Sequence, residues 1–570
     1  MRKNWHVKKI NPALSRKLSH ELSISPVLAQ LLINRSVTDA RNAKSFLNPQ
    51  LEDLHEPFRL KDMDRALERL KKAVNKREKI LIFGDYDVDG LTSSVVLMRA
   101  LNKLGAEVYT YIPHRVKEGY GLNDNALKQA CKIGASLVVC VDCGTNEHGI
   151  ISKLKRTKID TIVVDHHEPS SENLQDGVLI NPLRRGCSYP YKYLSAAGLV
   201  YKLTQALDKE FSIGAEADLD LVALGTVCDV SPMSGENRIL TTHGLNRLRH
   251  TDKVGLLALM DVARIAAKRI AAHHLGYILG PRLNAQGRLD SAEKSLRILS
   301  TDSPDEAKEL ASVLHLDNAQ RQKIEARILT QALEKIQSKI NFAKEKIIVL
   351  DDERWHPGVI GIVASKIVDA FYRPAILIVR LDGISRGSGR SIDGFDLMEA
   401  LTHCKKYLAG FGGHEAACGL TIHPENITKF REAINEFAQD KLLPSQLSAI
   451  INIDMEIALA ELRPDLVYQI EKLSPFGPEN PKPLFLSRNL KLKSKPKYCG
   501  RKTVKFWVTD GKRTFEAISF GRDLPGDFES AGNLDIIYSP TLDGWQGQTF
   551  IQLEVEDMRP ATSDREIIPL

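Results

Sequence analysis

The sequence predicts an α/β fold in which a parallel-sheet domain is joined by a long helix to a smaller α/β domain, followed by a C-terminal β-barrel. Helices alternate with compact apolar strands from about residue 61 to 265, which is typical of a parallel sheet covered on both faces. A long polar helical stretch comes next, and a second strand and helix alternation follows it. After Pro444, short strands such as "TVKFWVTD" and "QTFIQLEVEDM" indicate a barrel.

These patterns divide the chain into five segments. We expect short helices in residues 1–60, the parallel-sheet domain in 61–265, a connecting helical region in 266–344, the smaller α/β domain in 345–445 and the barrel in 448–562. In the connecting region, Ser303, Pro304 and Glu306 have the spacing of a capping box with proline at the first helical position. This spacing predicts a helix from about 304 to 340.

Composition restricts the class of protein. The 79 Lys and Arg nearly balance the 72 Asp and Glu, so a polyanionic partner would have to meet a local basic surface. No apolar run reaches the ~18 residues needed to cross a bilayer, and the first residues lack the apolar segment of a signal peptide. We therefore expect a cytoplasmic protein with no membrane partner. Only Cys140 and Cys143 of the eight cysteines have CxxC spacing, which we attribute to packing.

Acidic residues follow the apolar strands of the first domain. Three aspartates come directly after a strand in "ILIFGDYDVDG", one follows in "LVVCVDCG", and "TIVVDHHE" adds an aspartate and two histidines. A fourth apolar run, "LDLVALGTVCDVSP", also delivers an aspartate. The residues are Asp85, Asp87, Asp89, Asp142, Asp165, His166, His167 and Asp229. Because ligands bind outside the carboxyl ends of parallel strands, we expect these four strand ends to face one crevice.

A metal site explains this crowding of charge. Neighbouring carboxylates raise each other's pKa and destabilise the fold unless a cation neutralises them. Oxygen and imidazole ligands suit Mn²⁺ or Mg²⁺ better than zinc. A single DxD is usually a solvated turn, and it is the convergence of several strand ends that favours a metal.

The motifs resemble a known family. "DYDVDG" together with "VDHHE" is similar to the DHH phosphoesterases, and "FGGHEAACG" is similar to their companion DHHA1 domain. "GPRLNAQGRLDSA", "SGRSIDGFDL" and "PFGPENPKPLF" resemble, in order, stretches of the RecJ family of single-strand-specific 5′ to 3′ exonucleases, so that the resemblance covers nearly the whole chain. It implies hydrolysis of phosphodiester bonds in single-stranded DNA by two-metal-ion catalysis, in DNA repair and recombination.

The resemblance also implies a role for each catalytic residue. Two divalent cations, Mn²⁺ or Mg²⁺, would be held by Asp87, Asp89, Asp142, His166 and Asp229. Asp142 would bridge the ions, His167 would contact the scissile phosphate, and Asp85 would support the site. Many DHH proteins have a histidine four residues before the first ligating aspartate, where this chain has Phe83. We therefore expect the first ion to be held loosely.

Substrate contacts are expected in the second domain. We interpret "SRGSGRSIDG" and "FGGHEAACG" as glycine-rich loops that could bind a terminal phosphate, because arginine forks suit a phosphate and glycines allow backbone N–H groups to approach it. The resemblance implies that they contact the 5′ end. Plain turns are the alternative. The candidates are Arg386, Ser388, Arg390, Gly412, Gly413 and His414, and the resemblance adds Arg115, Arg282 and Arg288.

The barrel is expected to be an oligonucleotide-binding fold. Such barrels stack bases on aromatic side chains in a basic groove. The candidate aromatic residues are Tyr498 and Trp507, in a basic run that contains Lys491, Lys493, Lys495, Lys497, Arg501 and Lys502. A solvated hairpin with a core tryptophan is the alternative.

Two other functions stay open. One is a different DHH enzyme, a nanoRNase-like enzyme or a pyrophosphatase, although such chains are typically shorter and lack the barrel. The other is a non-catalytic DNA-repair scaffold, a class that usually loses the carboxylates that this chain keeps. The resemblance further implies single-strand-binding protein and a RecQ-type helicase as partners. We expect a monomer, because two α/β domains and a barrel can surround a strand within one chain.

Overall fold

The structure is a computed structural model that describes residues 3–115, 117–170, 174–499, 503–520, 532–545, 548–561 and 568–569. These residues form two compact units. The first comprises Glu56–Asp229 and Gly244–Ala449, and the second comprises Lys3–His55, Val230–His243 and Ile450–Leu570. Within the described ranges, no helix is both long and apolar enough to cross a membrane. The five segment boundaries proposed from the sequence stay predictions.

The N-terminal residues belong to the second unit. They form β1 (Asn4–Val7), α1 (Pro12–Leu22), α2 (Pro26–Ile33) and α3 (Ala40–Leu47). The side chains of Asn11, Ser25 and Asp39 each accept a backbone hydrogen bond at a helix start, as N-cap residues do. The short helices are therefore present, whereas strand β1 has no counterpart in the sequence prediction.

The first α/β domain is built on a five-stranded parallel sheet. Its elements are α4 (Met63–Asn75), β2 (Lys79–Gly84), α5 (Val88–Lys103), β3 (Glu107–Tyr111), α6 (Asp124–Ile133), β4 (Leu137–Val141), α7 (His148–Arg156), β5 (Asp160–Val164) and β6 (Val178–Ile180). The strand order is β3–β2–β4–β5–β6, and every pair is parallel. The central strands are almost wholly buried, which explains their apolar runs. The carboxyl ends of β2, β4 and β5 are therefore neighbours, and the predicted sheet is confirmed.

Helices follow this sheet. They are α8 (Ala196–Phe211), α9 (Leu219–Cys228), α10 (Gly235–Leu248), α11 (Val254–Val262), α12 (Ala272–His274), a π-helical turn (Leu275–Leu279), α13 (Gly280–Leu289), α14 (Glu293–Ser300) and α15 (Pro304–Lys339). The expectation that "LDLVALGTVC" forms a fourth strand is wrong, because it forms helix α9. A short apolar run that is buried on all sides shows no hydrophobic periodicity, so the sequence pattern cannot distinguish a strand from a helix there.

Helix α15 confirms the predicted connecting helix. The Ser303 side chain accepts a hydrogen bond from the backbone N of Glu306, as expected. Only this half of the capping box forms. The Glu306 carboxylate instead accepts hydrogen bonds from Thr301 and Arg297, and the N–H of Ser303 donates to Thr301 Oγ1 at 3.1 Å.

The second α/β domain has a mixed sheet. It consists of β7 (Ile348–Asp352), α16 (Ile360–Phe371), β8 (Ala375–Val379), β9 (Ser385–Arg390), α17 (Leu397–His403), β10 (Leu408–His414), β11 (Ala417–Ile422) and α18 (Ile427–Lys441). The order is β10–β11–β9–β8–β7, and only β7 and β8 pair in parallel.

The two glycine-rich stretches of this domain are not loops, which corrects the sequence interpretation. "SRGSGR" is strand β9, and "FGGHEAACG" forms the hairpin of β10 and β11. The glycines of β9 allow close packing. A Cβ added at Gly387 would lie 2.8 Å from the side chain of Leu420, and one added at Gly389 would lie 2.5 Å from the sulfur of Cys418. Arg386, Ser388 and Arg390 thus occupy alternate positions on one face of a central strand.

The C-terminal residues form the predicted barrel. The elements are β12 (Ile450–Ile453), β13 (Met455–Glu456), α19 (Pro464–Glu471), β14 (Phe485–Leu492), β15 (Lys497–Cys499), β16 (Thr503–Thr509), β17 (Thr514–Phe520), β18 (Leu534–Trp545), β19 (Gln548–Pro560) and β20 (Ile568–Pro569). Strands β14, β18, β19, β17 and β16 pair in sequence, and β16 pairs again with β14, which closes five strands into a barrel. Residues of α2 share the barrel core, and β1 pairs with β12.

Candidate metal centre and the neighbouring cleft

The first acidic turn joins β2 to α5. Asp87 caps the helix, since its Oδ1 accepts hydrogen bonds from the backbone N of Asp89 at 2.9 Å and of Gly90 at 3.1 Å. A Cβ at Gly90 would lie 2.5 Å from the carbonyl oxygen of Asp85, so only glycine fits where the helix begins against the strand end. The three aspartates are thereby held on one tight turn.

Asp89 is oriented by a second helix. Its side chain is buried, and its two oxygens accept hydrogen bonds from the backbone N of Ala196 at 2.7 Å and of Ala197 at 2.9 Å. These are the first residues of α8. The N-terminus of a helix stabilises a carboxylate through its free N–H groups and its dipole.

The ends of β4, β5 and α9 meet at Asp142. This residue has a left-handed backbone with φ of 63°, and its N–H donates to the carbonyl of Val164 at 3.0 Å. Its Oδ1 lies 3.2 Å from Nε2 of His166, and the same nitrogen lies 3.9 Å from Oδ1 of Asp229. Asp229 directly follows α9. The predicted convergence therefore occurs, with a helix end in place of the fourth strand end.

Three groups of side chains in this centre could each hold a metal ion. They are Asp85, Asp87 and Asp142; Asp89, His166 and Asp229; and Asp142, His166 and His167, and within each group the ligand atoms lie within 4.8 Å of one another. All the predicted metal ligands are thus brought together, and Asp85 joins them. Carboxylate and imidazole donors of this kind suit Mn²⁺ or Mg²⁺.

Unpartnered polar atoms face this centre. Among the described residues, Oδ1 of Asp85, Oδ1 of Asp142 and Nε2 of His166 are buried without a hydrogen-bond partner. Burial, followed by the charge of Asp87, raises the pKa of both Asp85 and Asp142 well above its ordinary value. Burial and the charge of Asp229 do the same to Asp89. Such an arrangement is costly without a cation.

The histidine pair is held by Asp165. Its carboxylate accepts hydrogen bonds from the backbone N of His166 at 2.8 Å and of Thr145 at 3.1 Å, and it lies 2.7 Å from Nδ1 of His167. Burial lowers the pKa of His167, but the hydrogen bond and the charge of Asp165 outweigh it and raise the pKa to about 9. The sequence alone assigned no role to Asp165, and only these contacts reveal one.

Phe83 takes no part in the three groups. It is fully buried in the core of the sheet and stacks on Tyr111 with 5.8 Å between the ring centroids. Cys140 and Cys143 belong to the same core cluster, which agrees with the packing role predicted for the CxxC pair.

A cleft of about 580 Å³ lies between the two α/β domains of the first unit. It is lined by Tyr86, Arg115, Lys117, Glu118, Gly119, Pro357, Gly358, Ile360, Arg386, Gly387, Gly410, Phe411, Gly412, Gly419, Leu420 and Thr421. The Arg115 guanidinium lies over the ring of Tyr86 at 4.8 Å. Of the predicted substrate residues, Arg115, Arg386 and Gly412 line this cleft.

The other predicted glycine-hairpin residues lie outside its lining. His414 is exposed at the end of β10. Gly413 has φ of 140°, and a Cβ there would lie 2.3 Å from the carbonyl oxygen of Ala417, so the hairpin itself requires glycine. A substrate role is therefore not needed to explain Gly413.

Arginines cluster beside the cleft. Burial, together with the charges of Arg115, Arg321 and Arg390, lowers the pKa of Arg288 to about 9. Arg288 and Arg321 also line a cavity of about 200 Å³. Arg390 donates to the carbonyl of Gly389 at 2.7 Å and to Oγ of Ser388 at 3.3 Å. Arg321, on the buried face of α15, has no counterpart in the sequence prediction.

Arg282 makes its contacts within the helical region that follows the first sheet. Its guanidinium donates to the carbonyl of Ile278 at 2.6 Å and lies 3.3 Å from Nδ1 of His315, within the helical region. The structure therefore does not place it in the lining of the cleft. The family resemblance had suggested it as a substrate contact, and that role stays a prediction.

The barrel presents aromatic side chains on its surface. Trp507 is 45% exposed and Tyr498 is 66% exposed, so the core-tryptophan alternative is wrong. Phe520, 55% exposed on the neighbouring strand β17, is a further surface aromatic that the sequence analysis missed. Lys505 pairs with Glu516 at 3.4 Å. Arg501 and Lys502 lie outside the described residues.

Comparisons with known proteins agree with this arrangement. Residues 79–226 match the model of the DHH family N-terminal domain, 344–440 that of the DHHA1 domain and 453–557 that of the RecJ OB domain. The chain is 35% identical over 557 residues to the single-stranded-DNA-specific exonuclease RecJ of Bacillus subtilis, covering 97% of this chain and 70% of that protein. It is 33% identical to the protein of the same name from Salmonella typhimurium, covering 94% of this chain and 96% of that protein.

A solved structure shows the same fold. The crystal structure of RecJ in complex with Mn²⁺ from Thermus thermophilus aligns with a TM-score of 0.85 and 28% identity, over 98% of this chain and 80% of that chain. The acidic centre on a parallel sheet, with the DHHA1 sheet beside it, defines a phosphoesterase of the DHH class. Within that class, the chain belongs to the RecJ family of single-stranded-DNA-specific exonucleases.

Proposed function

We propose that this protein is a Mn²⁺- or Mg²⁺-dependent exonuclease that hydrolyses single-stranded DNA from the 5′ end, in DNA repair and recombination. The observation that carries the proposal is the pair of adjacent ligand groups, one with Asp85, Asp87 and Asp142 and the other with Asp89, His166 and Asp229. Family membership and the Mn²⁺ complex of the Thermus thermophilus relative support it.

The ligand groups suggest how two ions would be held. Asp85, Asp87 and Asp142 would hold the first ion, and Asp89, His166 and Asp229 the second, with Asp142 between them. This assignment makes Asp85 a ligand rather than a support, because its buried Oδ1 has no hydrogen-bond partner among the described residues. The first site then consists of carboxylates alone, and the looser hold on its ion expected from Phe83 stays a prediction.

Bound divalent ions would activate water and stabilise the attacking and leaving oxygens of an in-line phosphoryl displacement. The residues of this chain prepare that chemistry. The first turn of α8 fixes the carboxylate of Asp89. The pKa of His167 is raised to about 9 by Asp165 against the effect of burial. In its protonated form His167 would donate to an oxygen of the scissile phosphate.

The arginine cluster would bind the 5′ end of the strand. Arg288 and Arg390 are partly buried, and the charges of Arg115, Arg321 and Arg390 act on Arg288. The first turn of α16 adjoins Arg390, since a Cβ at Gly361 would lie 2.9 Å from Oγ of Ser388 and 3.3 Å from Nη2 of Arg390. Guanidinium groups beside a helix N-terminus form a site for a terminal phosphate.

The barrel would provide further contacts to the strand. Exposed Trp507 and Tyr498 offer stacking surfaces on an oligonucleotide-binding fold. Single-stranded DNA is thus the proposed partner. Single-strand-binding protein, a RecQ-type helicase, a monomeric state and a cytoplasmic location stay predictions from the sequence.

Digestion of single strands of different lengths tests this function. With Mn²⁺ present, long single strands and strands of two to five nucleotides would be incubated with the enzyme, alongside duplexes and inorganic pyrophosphate. Degradation of long single strands is expected. Activity confined to the shortest strands or to pyrophosphate would indicate another DHH enzyme, and binding without hydrolysis would indicate a scaffold.

A further inference from the structure

One acid lines a cleft that otherwise suits a polyanion. Among the described residues of the cleft lining, Glu118 is the acidic one, beside Arg115, Lys117 and Arg386. A carboxylate in this position repels a DNA strand, because like charges disfavour each other at short range. The contacts of Glu118 show what it does instead.

The Glu118 carboxylate accepts four hydrogen bonds. Oε1 accepts from the backbone N of His114 at 2.9 Å, and Oε2 accepts from the Tyr111 hydroxyl at 2.9 Å. Oε2 also accepts from the side-chain amides of Asn125 at 3.0 Å and Asn123 at 3.4 Å. All the partners are donors, so a carboxylate fits and an amide, which would turn an NH₂ group toward donors, does not.

These bonds tie together both ends of the loop between β3 and α6. Tyr111 is the last residue of β3, and Asn123 is the N-cap of α6, where its Oδ1 accepts from the backbone N of Asn125 and Ala126. His114 lies at the start of the loop. Glu118 thus joins the strand, the loop and the helix through one side chain.

The same loop carries two residues that reach the site. Arg115 lies over the ring of Tyr86, which is located between two of the metal-ligand aspartates. The hydroxyl of Tyr120 donates to the carbonyl of Asp142 at 3.2 Å and lies 3.0 Å from Nδ1 of His167. Glu118 is placed between them in sequence.

We propose that Glu118 is a positioning residue for substrate binding, which holds the loop so that Arg115 and Tyr120 face the substrate and the metal centre. This inference rests on the proposed exonuclease function, because substrate binding is its consequence. It assigns Glu118 no contact with DNA.

The kinetic test uses Glu118→Gln and Glu118→Ala in the full-length enzyme. Either change is expected to raise KM for a 5′-phosphorylated single strand ~10-fold, with a smaller fall in kcat, because the loss is in binding geometry. Glu107→Ala is the matched control, since Glu107 also accepts a tyrosine hydroxyl, that of Tyr109, on β3 but does not touch the loop. Wild-type KM in both Glu118 variants, or tighter DNA binding by Glu118→Gln, would overturn the proposal.

A double-mutant cycle separates positioning from a general structural role. If Glu118 acts through Arg115, adding Glu118→Gln to Arg115→Ala should raise KM by less than ~2-fold beyond the single arginine variant. Losses that multiply in full would show that Glu118 does not act through Arg115 and would contradict that part of the proposal.

Limited trypsin digestion provides a readout that does not depend on activity. Cleavage after Arg115 and Lys117 in the native protein is expected to be faster in the Glu118 variants than in the wild type and Glu107→Ala. Unchanged cleavage would contradict the positioning role. If the wild-type protein degraded no DNA, the proposed function would fail, while the digestion would still decide whether Glu118 holds the loop.

Discussion

Nε2 of His166 lies 3.2 Å from Oδ1 of Asp142, and neither atom has a hydrogen-bond partner among the described residues. The two side chains come from the ends of β5 and β4, the neighbouring central strands of the parallel sheet. Two buried polar atoms that face each other in this way are each available as ligands for a cation. The account of catalysis depends on this pair.

Asp142→Ala is expected to reduce exonuclease activity at least ~10³-fold, because Asp142 belongs to two of the three ligand groups. Binding of single-stranded DNA should change little, since the arginine cluster and the barrel remain. Product release and filter binding measure the two properties. Asp382→Ala, at an exposed position of the second α/β domain, is the control. Undiminished hydrolysis by Asp142→Ala would refute the assignment.

Asp85→Asn separates a ligand from a supporting residue. In metal-free protein at pH 7 the variant should be more stable than the wild type, because burial raises the pKa of this carboxyl, so that folding must either bury a charge or take up a proton. The increase in melting temperature on addition of Mn²⁺ should shrink, because a ligand is lost. Calorimetry with EDTA and with Mn²⁺ measures both effects. If Mn²⁺ raised the melting temperature of the variant as much as that of the wild type, Asp85 would be a supporting residue and not a ligand.

Arg390→Ala is expected to weaken the preference for a 5′-phosphate. Comparison of kcat/KM on 5′-phosphorylated and 5′-hydroxyl oligonucleotides measures this preference, which should fall ~10-fold or more when a charge-assisted bidentate contact is lost. Arg327→Ala, exposed on α15, is the matched control. Equal losses on both substrates would mean that Arg390 holds the fold instead.

Trp507→Ala is expected to weaken binding of long single strands by ~10- to 100-fold, since stacking of one base contributes ~1–3 kcal/mol. The melting temperature should change little, because the side chain is 45% exposed. Tyr468→Ala, 55% exposed on α19 of the same unit, controls for the loss of a surface aromatic. Fluorescence anisotropy at several salt concentrations measures the affinity. Equal effects of the two changes would argue against a stacking role for Trp507.

The contribution of Asp352 to the stability of the fold is expected to depend on pH. Its carboxylate accepts hydrogen bonds from Arg354 and pairs with Lys335 of α15 at 2.9 Å, and the Arg354 bond is the main cause that lowers the pKa of Asp352. A lowered pKa stabilises the fold above the ordinary aspartate pKa, and this contribution is lost as the pH falls through the lowered value. Asp352→Asn should therefore cost ~1–3 kcal/mol at pH 7.

The difference between the wild type and Asp352→Asn should shrink as the pH falls below ~4. Thermal unfolding at pH 7, 5 and 3 measures it. A difference that stayed constant over this range would show that the ion pairs of Asp352 do not contribute to stability.

Much of the fold could be predicted from local pattern. The buried strands β2, β4 and β5 are apolar runs bounded by turn residues, and Ser303 with Pro304 marks the start of α15. Strand β9 was missed because its glycines, which signal turns, serve close packing against Leu420 and Cys418. Such a contact depends on a distant strand and leaves no local signal.

The residues of the candidate metal centre could be predicted from the sequence, but their individual roles could be predicted less well. Asp142, His166 and Asp229 were found from motifs, although Asp229 follows a helix. The ligand position proposed for Asp85 rests on an oxygen without a hydrogen-bond partner among the described residues, and the role proposed for Glu118 rests on four donors that the fold brings together. Tertiary hydrogen bonds of this kind cannot be read from spacing along the chain.

Release of label from a single-stranded oligonucleotide tests the central claim most directly. Substrates labelled at the 5′ or the 3′ end would be incubated with wild-type protein in Mn²⁺, in Mg²⁺ and in EDTA, with Asp142→Ala as the inactive control. The account predicts that label is released early from the 5′ end and late from the 3′ end, only with a divalent cation and only by the wild type. Early release from the 3′ end, or equal activity in EDTA, would contradict it.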